Sequence, residues 1–211
     1  MVRLADVDEI AREHHFAGTD AGSLPGLSEA LASLVERDGE LLARGAAERA
    51  ICHRLAVYLE ATVNQGRRDR ERWHVDCEYN LFGSRIGETE CIDSLRKWMA
   101  VEGINDAPGD EQIHSVYPDV IVHHRDTTTN LLVIEMKVLR PSTTRNEIEF
   151  DLRKLNVFQE TGSGFEYSFA AFVVVAPRDV EVDGDTARVA LFARSPDAAN
   201  STLTRAAKEL D

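Results

Sequence analysis

The sequence predicts an α/β domain with a central mixed β-sheet flanked by helices. Three observations predict it. Apolar residues recur at helical spacing before residue 64 and again over 148–159. Two strand-like runs, Tyr117 to His124 and Leu131 to Val138, are joined by the short polar segment Arg125-Asp-Thr-Thr-Thr-Asn. Tyr167 to Val175 is continuously apolar, as a strand covered on both faces is. Helices, then strands, then a helix crossing to further strands is the pattern of a layered α/β domain.

In chain order, residues 4–16 read as a short helix, and Thr19 to Gly26 as a loop broken by Gly and Pro. Leu27 to Leu42 carries Leu27, Leu31, Leu34 and Leu41/Leu42 at helical spacing. Gly45 breaks the pattern, and a stronger helix is expected from Ala46 to Val63. Gly66 and the run RRDRER form a turn. Trp73 to Asn80 alternates: Trp73, Val75, Cys77 and Tyr79 share one face of a first strand, and His74, Asp76, Glu78 and Asn80 the other. Residues 81–112 carry no decisive pattern, with a short helix over Ser94 to Val101 and a loop over Asn105 to Asp110 as expectations. Ser115 to His124 and Leu131 to Leu139 are the second and third strands. A helix over Asn146 to Glu160, a buried strand over 167–175, a short strand over Ala187 to Ala193 and a closing helix over Asp197 to Leu210 complete the chain. The expected division is a helical extension over residues 1–45 and a main domain over 46–211.

Composition bounds the function. The chain has 211 residues and a formal net charge of −13. Proteins that coat nucleic acid without specificity are usually basic, because phosphate neutralisation supplies most of their affinity. The acidic balance argues against that class, although a carboxylate metal site with a local basic groove is compatible with it. There is no run of about eighteen apolar residues and no apolar segment near the N-terminus, so neither a membrane span nor a secretory signal is expected. Cys52, Cys77 and Cys91 lie far apart with no CxxC pair, which fits reduced thiols in a cytoplasmic protein and not a zinc centre.

The chemistry is expected where charges interrupt the apolar strands. Asp119 sits in the first interrupted run, and Glu135 and Lys137 in the second. An unpaired charge in a sheet core costs on the order of several kcal/mol. Side chains alternate along a strand, so Glu135 and Lys137 emerge on one face, about 7 Å apart. A hairpin centred near 126–129 sets Asp119 against 135–137. Two neighbouring carboxylates repel unless a cation lies between them, and Mg²⁺ suits one or two carboxylates plus waters and phosphate oxygens. An ammonium beside them can stabilise charge that develops on a phosphate.

Pro118-Asp119, fifteen intervening residues and Glu135-Met136-Lys137 together resemble the PD-(D/E)XK nuclease superfamily, the restriction-endonuclease-like fold. The resemblance extends over roughly residues 45–176. It implies a Mg²⁺-dependent nuclease, with Mn²⁺ as a substitute, acting on DNA rather than RNA. Asp119 and Glu135 would hold the metal, and Lys137 would act at the scissile phosphate. The family commonly carries a further glutamate on a helix before the sheet, which matches Glu48. Glu48 also shares a helical stripe with Ile51/Cys52, Leu55 and Tyr58/Leu59, the apolar face. The helix bearing Asp151, Lys154 and Leu155 matches the same architecture. Lys154 and Gln159 there, and the basic loop Arg67, Arg68, Arg70 and Arg72, are candidate phosphate contacts.

Plainer readings stay open at this stage. Asp119 after proline could cap a turn, with a strand starting only at Val120. Glu135 and Lys137 could face solvent on an edge strand. Glu48 could simply favour the positive end of a helix dipole. Glu78 reads as paired or exposed, His114, His123 and His124 as solvated, and Thr127 to Thr129 as loop composition. The rival function is a catalytically inactive protein of the same fold that binds a protein partner or a second copy of itself through its acidic surface.

Overall fold

The computed structural model describes residues 2–18, 24–78, 98–101, 112–115, 117–125, 127–160, 165–180 and 188–194. It is an α/β structure. Six strands form one mixed sheet in the order β1 (Ala17–Gly18), β8 (Arg188–Arg194), β7 (Phe169–Ala176), β6 (Asn130–Val138), β5 (Val120–His123) and β2 (His74–Cys77). β2, β5 and β6 make an antiparallel meander. Helix α4 (Arg145–Gln159) then crosses to β7, which runs parallel to β6. A parallel pair requires such a crossover, and the helix covers the sheet face that the crossover passes. Gln112–Ser115 (β4) pairs with Trp98–Val101 (β3) in a separate two-stranded ribbon.

Two cores lie on the two faces of the sheet. On one, α2 (Leu27–Ala43) and α3 (Glu48–Val63) pack Leu27, Leu34, Ile51, Leu55 and Leu59 over Val120, Val122, Leu132, Ile134, Met136, Val138 and Val173. On the other, α1 (Leu4–Glu13) and α4 pack Val7, Ile10, Ile148, Leu152, Leu155 and Phe158 over Ile121, Val133, Phe172 and Val174. Residues of the first 45 positions are therefore buried in both cores. The parity of β6 is what a period of two demands: Leu132, Ile134, Met136 and Val138 face the α2–α3 layer, while Val133 faces α4.

Several local signals explain the element ends. Gly45 adopts φ +61° between α2 and α3, and a Cβ there would lie 3.0 Å from Pro177 Cγ, so the turn needs glycine on both counts. Thr144 opens α4 with a capping box: its hydroxyl accepts from Glu147 N, and the Glu147 carboxylate accepts from Thr144 N at 2.8 Å.

Two expectations are corrected. Ser115 does not begin the strand that carries Val120 to His123. It ends β4, and β5 starts after Pro118-Asp119, since proline has no amide to give to a ladder. Within Ser94 to Val101, residues Trp98–Val101 are strand and not helix. Their pairing with Gln112–Ser115 is a long-range contact that no local pattern displays. Tyr79, Asn80, the loop over 105–110 and the closing helix lie outside the described residues. No described helix is long and apolar enough to cross a membrane.

Candidate functional site

The site forms where the second half of β6 meets the start of α3, the entry to β5 and the middle of α4. Extending the β5–β6 register by one residue from Val120 and Ile134 sets Asp119 opposite Glu135. The Asp119 carboxylate accepts the Met136 amide at 2.7 Å, taking a ladder position beyond the strand end. Its own carbonyl accepts the Glu78 amide at 3.2 Å and so extends the β2–β5 ladder. Glu48, the first residue of α3, accepts the Val138 amide at 3.0 Å. Two carboxylates from distant segments are thus tied to amides two residues apart on the strand that carries Glu135 and Lys137. Asp119 and Glu48 line a common cavity of about 390 Å³ with Ala47, Arg49, Cys52, Cys77 and Glu78.

Glu135 and Lys137 point toward α4. Glu135 is 1% exposed, and its Oε2 lies 2.6 Å from the Lys154 ammonium. Lys154 also lies 3.0 Å from Asp151 Oδ1. Lys137 lies 2.8 Å from Asp151 Oδ2 and 3.9 Å from Glu48 Oε1. A chain of alternating charge therefore runs Glu48, Lys137, Asp151, Lys154, Glu135. Glu135 Oε1 is buried and has no hydrogen-bond partner among the described residues.

The electrostatics follow from this arrangement. Burial pushes the Glu135 carboxyl well above the usual range; Lys154 opposes the shift, and Asp119 and Asp151 add to it. Burial likewise raises Asp119, against the Met136 amide and Lys154, with Asp151 and Glu48 contributing repulsion. For both lysines burial alone would lower the pKa, but Asp151 and Glu48 together outweigh it at Lys137, and Glu135, Asp151 and Asp119 together at Lys154, so both ammonium groups are held above their ordinary value. Counting the five charge-chain groups and Asp119, four carboxylates face two ammonium groups. If all are ionised, the site carries an excess of two negative charges.

The structure thus brings together Asp119, Glu135, Lys137 and Glu48 and adds Asp151, to which the sequence reading assigned no role. The signal for it was present: Asp151 falls on the buried stripe Ile148, Leu152, Leu155 and Phe158 of α4. For Lys154 and Gln159, read as phosphate contacts, the partners are internal. Lys154 is held by Glu135 and Asp151, and the Gln159 amide donates to Arg194 O at 3.2 Å. Arg67 donates to Val63 O at 3.0 Å and lies over the Trp73 ring; it is exposed, as Arg68 and Arg70 are. Glu78 pairs with Arg49 at 2.7 Å. His123, read as solvated, is buried instead, with Nε2 2.8 Å from Asp76 Oδ2, because Asp76 on β2 and Arg125 close over it. His114 lies in the separate ribbon.

The geometry fits a divalent cation in one respect and leaves another to be met. Buried carboxylate oxygen, an orphaned acceptor and four carboxylates against two ammonium groups suit a hard dication. Among the described residues, however, no three His, Cys, Asp or Glu donors converge on one point. Lys154 and the two β6 amides occupy the oxygens that would have to turn. Compared with protein-family models, curated proteins and solved structures, the chain finds no match.

Proposed function

We propose that the chain is a metal-dependent phosphodiesterase of the PD-(D/E)XK type that cleaves nucleic acid, with DNA favoured over RNA by the resemblance. The observation that carries the reading is a buried site where four carboxylates face two ammonium groups and one acceptor, Glu135 Oε1, has no hydrogen-bond partner among the described residues. With all four carboxylates ionised, one divalent ion would neutralise the excess of two negative charges. Glu135 and Asp119 would hold Mg²⁺, with Mn²⁺ as substitute, and Glu48 would assist. When bound, the ion supplies Lewis acidity and a water of lowered pKa. The residues of the chain do the rest. The Met136 and Val138 amides orient Asp119 and Glu48. Asp151 holds the Lys137 ammonium beside Glu48, where it can stabilise charge developing on a phosphate oxygen. The restriction-endonuclease-like fold, with residues 1–45 as a helical extension, belongs to the same proposal.

A second reading, a binding module without catalysis that docks a protein partner or a second copy, is favoured by one observation. Lys137 is already satisfied by Asp151 at 2.8 Å.

Metal uptake tests the first reading. A ligand at about a hundred times its Kd stabilises the native state by about 2.7 kcal/mol. For a chain of this size that raises Tm by about 5–10 °C. A Tm unmoved by millimolar Mn²⁺ would count against the metal site.

A further inference from the structure

We infer that an arginine-lined cleft beside the α2–α3 turn holds a phosphate of the substrate strand close to the scissile one; the inference rests on the nucleic-acid reading above. The cleft has a volume of about 270 Å³, and Arg44, Gly45, Leu139, Arg140, Ser142 and Asp179 are in its wall. Its two guanidinium groups come from distant segments, the end of α2 and the chain leaving β6. Arg140 Nη2 donates to Gly45 O at 3.2 Å and to Ala46 O at 3.5 Å, which fixes the guanidinium against the turn. Its Nε and Nη1 have no partner among the described residues. Arg44 gives Nε to Glu40 at 2.9 Å and keeps its Nη groups. The Ser142 hydroxyl is likewise uncommitted among the described residues, and Asp179 pairs with neither arginine. Guanidinium N–H groups from two directions, with a hydroxyl, are a donor set that suits a phosphate, since each planar fork can meet two of its oxygens.

Position relates the cleft to the site. Arg140 follows Lys137 by three residues, and Gly45 precedes Glu48 by three, so each of these Cα pairs is at most about 11 Å apart. Successive phosphates of one strand advance about 3.4 Å along a duplex axis. A strand with its scissile phosphate at Lys137 therefore brings another phosphate to the cleft about one to three nucleotides away. Charge favours the same occupant. Arg44, Arg140 and Arg178 gather here on a chain of formal net charge −13, against Asp179 and Glu40, which lies 2.9 Å from Arg44 and 3.6 Å from Arg178. The cavity on the next residues of the turn has the opposite balance, with Glu48, Glu78 and Asp119 against Arg49.

The test is binding of a labelled single-stranded oligonucleotide by fluorescence anisotropy over a salt series, in chelator and in Mn²⁺. The full chain is compared with the double variant Arg44→Ala with Arg140→Gln, and with Asp179→Asn. The double variant is expected to bind about tenfold or more weakly. Its slope of log K against log salt should be shallower by about 0.7, the share of one phosphate on a single strand. Asp179→Asn, which removes a negative charge from the wall, should bind more tightly than the parent. Arg44→Ala alone, at a side chain 78% exposed, replaces the double variant if loss of the Arg140 contacts to the turn prevents folding, and a smaller loss in the same direction is expected. Affinity and slope unchanged in these arginine variants would overturn the cleft and leave the nuclease reading standing, as would weaker binding by Asp179→Asn. A parent that binds no oligonucleotide with or without Mn²⁺ would remove the functional reading and this inference together.

Discussion

The Asp119 carboxylate accepts the backbone amide of Met136 at 2.7 Å, so one side chain both ends a ladder and faces the candidate metal cavity. The two roles separate by substitution. Asp119→Ala leaves the amide of a buried strand residue unpaired, and in metal-free buffer should lower stability by about 1–3 kcal/mol. Asp119→Asn retains an accepting oxygen and should stay within about 1 kcal/mol of the parent while losing the Mn²⁺ response. Urea unfolding with and without Mn²⁺ reads both effects.

Acidity and metal binding are linked through Glu135 and Asp119. Burial raises both above their ordinary values of 4.5 and 3.8 in the folded chain. The folded state then keeps protons that the unfolded state has released. The metal-free protein accordingly holds this part of its stability below the ordinary values and loses it as pH rises through the folded values. A bound divalent ion favours the ionised carboxylates and releases those protons. The gap between the Mn²⁺-loaded and metal-free Tm should therefore widen from about pH 5 to about pH 8. A gap independent of pH would show that neither carboxylate is coupled to the ion.

Nucleic-acid contact is best sought in the loop after α3. Arg68 and Arg70 are exposed there on an otherwise acidic chain, and Arg67 is braced against Trp73. Replacing Arg68 and Arg70 by Glu should weaken DNA binding and reduce the slope of log K against log salt by up to about 2. The Tm response to Mn²⁺ should be unaffected. Fluorescence anisotropy over a salt series measures the slope, and an unchanged slope would place the phosphate contacts elsewhere.

The α4 face of the sheet depends on Phe158. It is fully buried, with ring contacts at 5.2 Å to Phe165 and 5.9 Å to Tyr167. Phe158→Ala should cost about 3–5 kcal/mol by urea unfolding. A loss below about 1 kcal/mol would mean that α4 packs less tightly than described.

What could be read in advance was what strand parity and helix period encode. The β5–β6 register followed from a short polar connection, and the facing of Glu135 and Lys137 from a period of two. The positions of α2, α3 and α4 followed from apolar stripes and from Gly45. Partnership was less legible. Nothing in the spacing of Asp151 and Lys154 says that one helix face will neutralise the charges of a strand, since that depends on how the crossover seats α4 on β6. The pairing of Ala17–Gly18 with β8 and the separate ribbon of β3 and β4 are long-range pairings without a local signature, and the β-bulge between Val122 and His123, inside the β5–β6 hairpin, has none either. His123 shows the same limit. Its burial depends on Asp76, which lies 47 residues earlier.

The central claim is cleavage that needs both a metal and this charge constellation. Supercoiled plasmid and single-stranded DNA incubated with the parent, Asp119→Ala and Lys137→Ala, with Mg²⁺, Mn²⁺ or chelator, test it directly. The account predicts cleavage by the parent only with metal, and a loss of about 10²–10³ or more in rate for each variant. Cleavage that survives both substitutions, or a parent that binds Mn²⁺ yet cuts neither substrate, would contradict it.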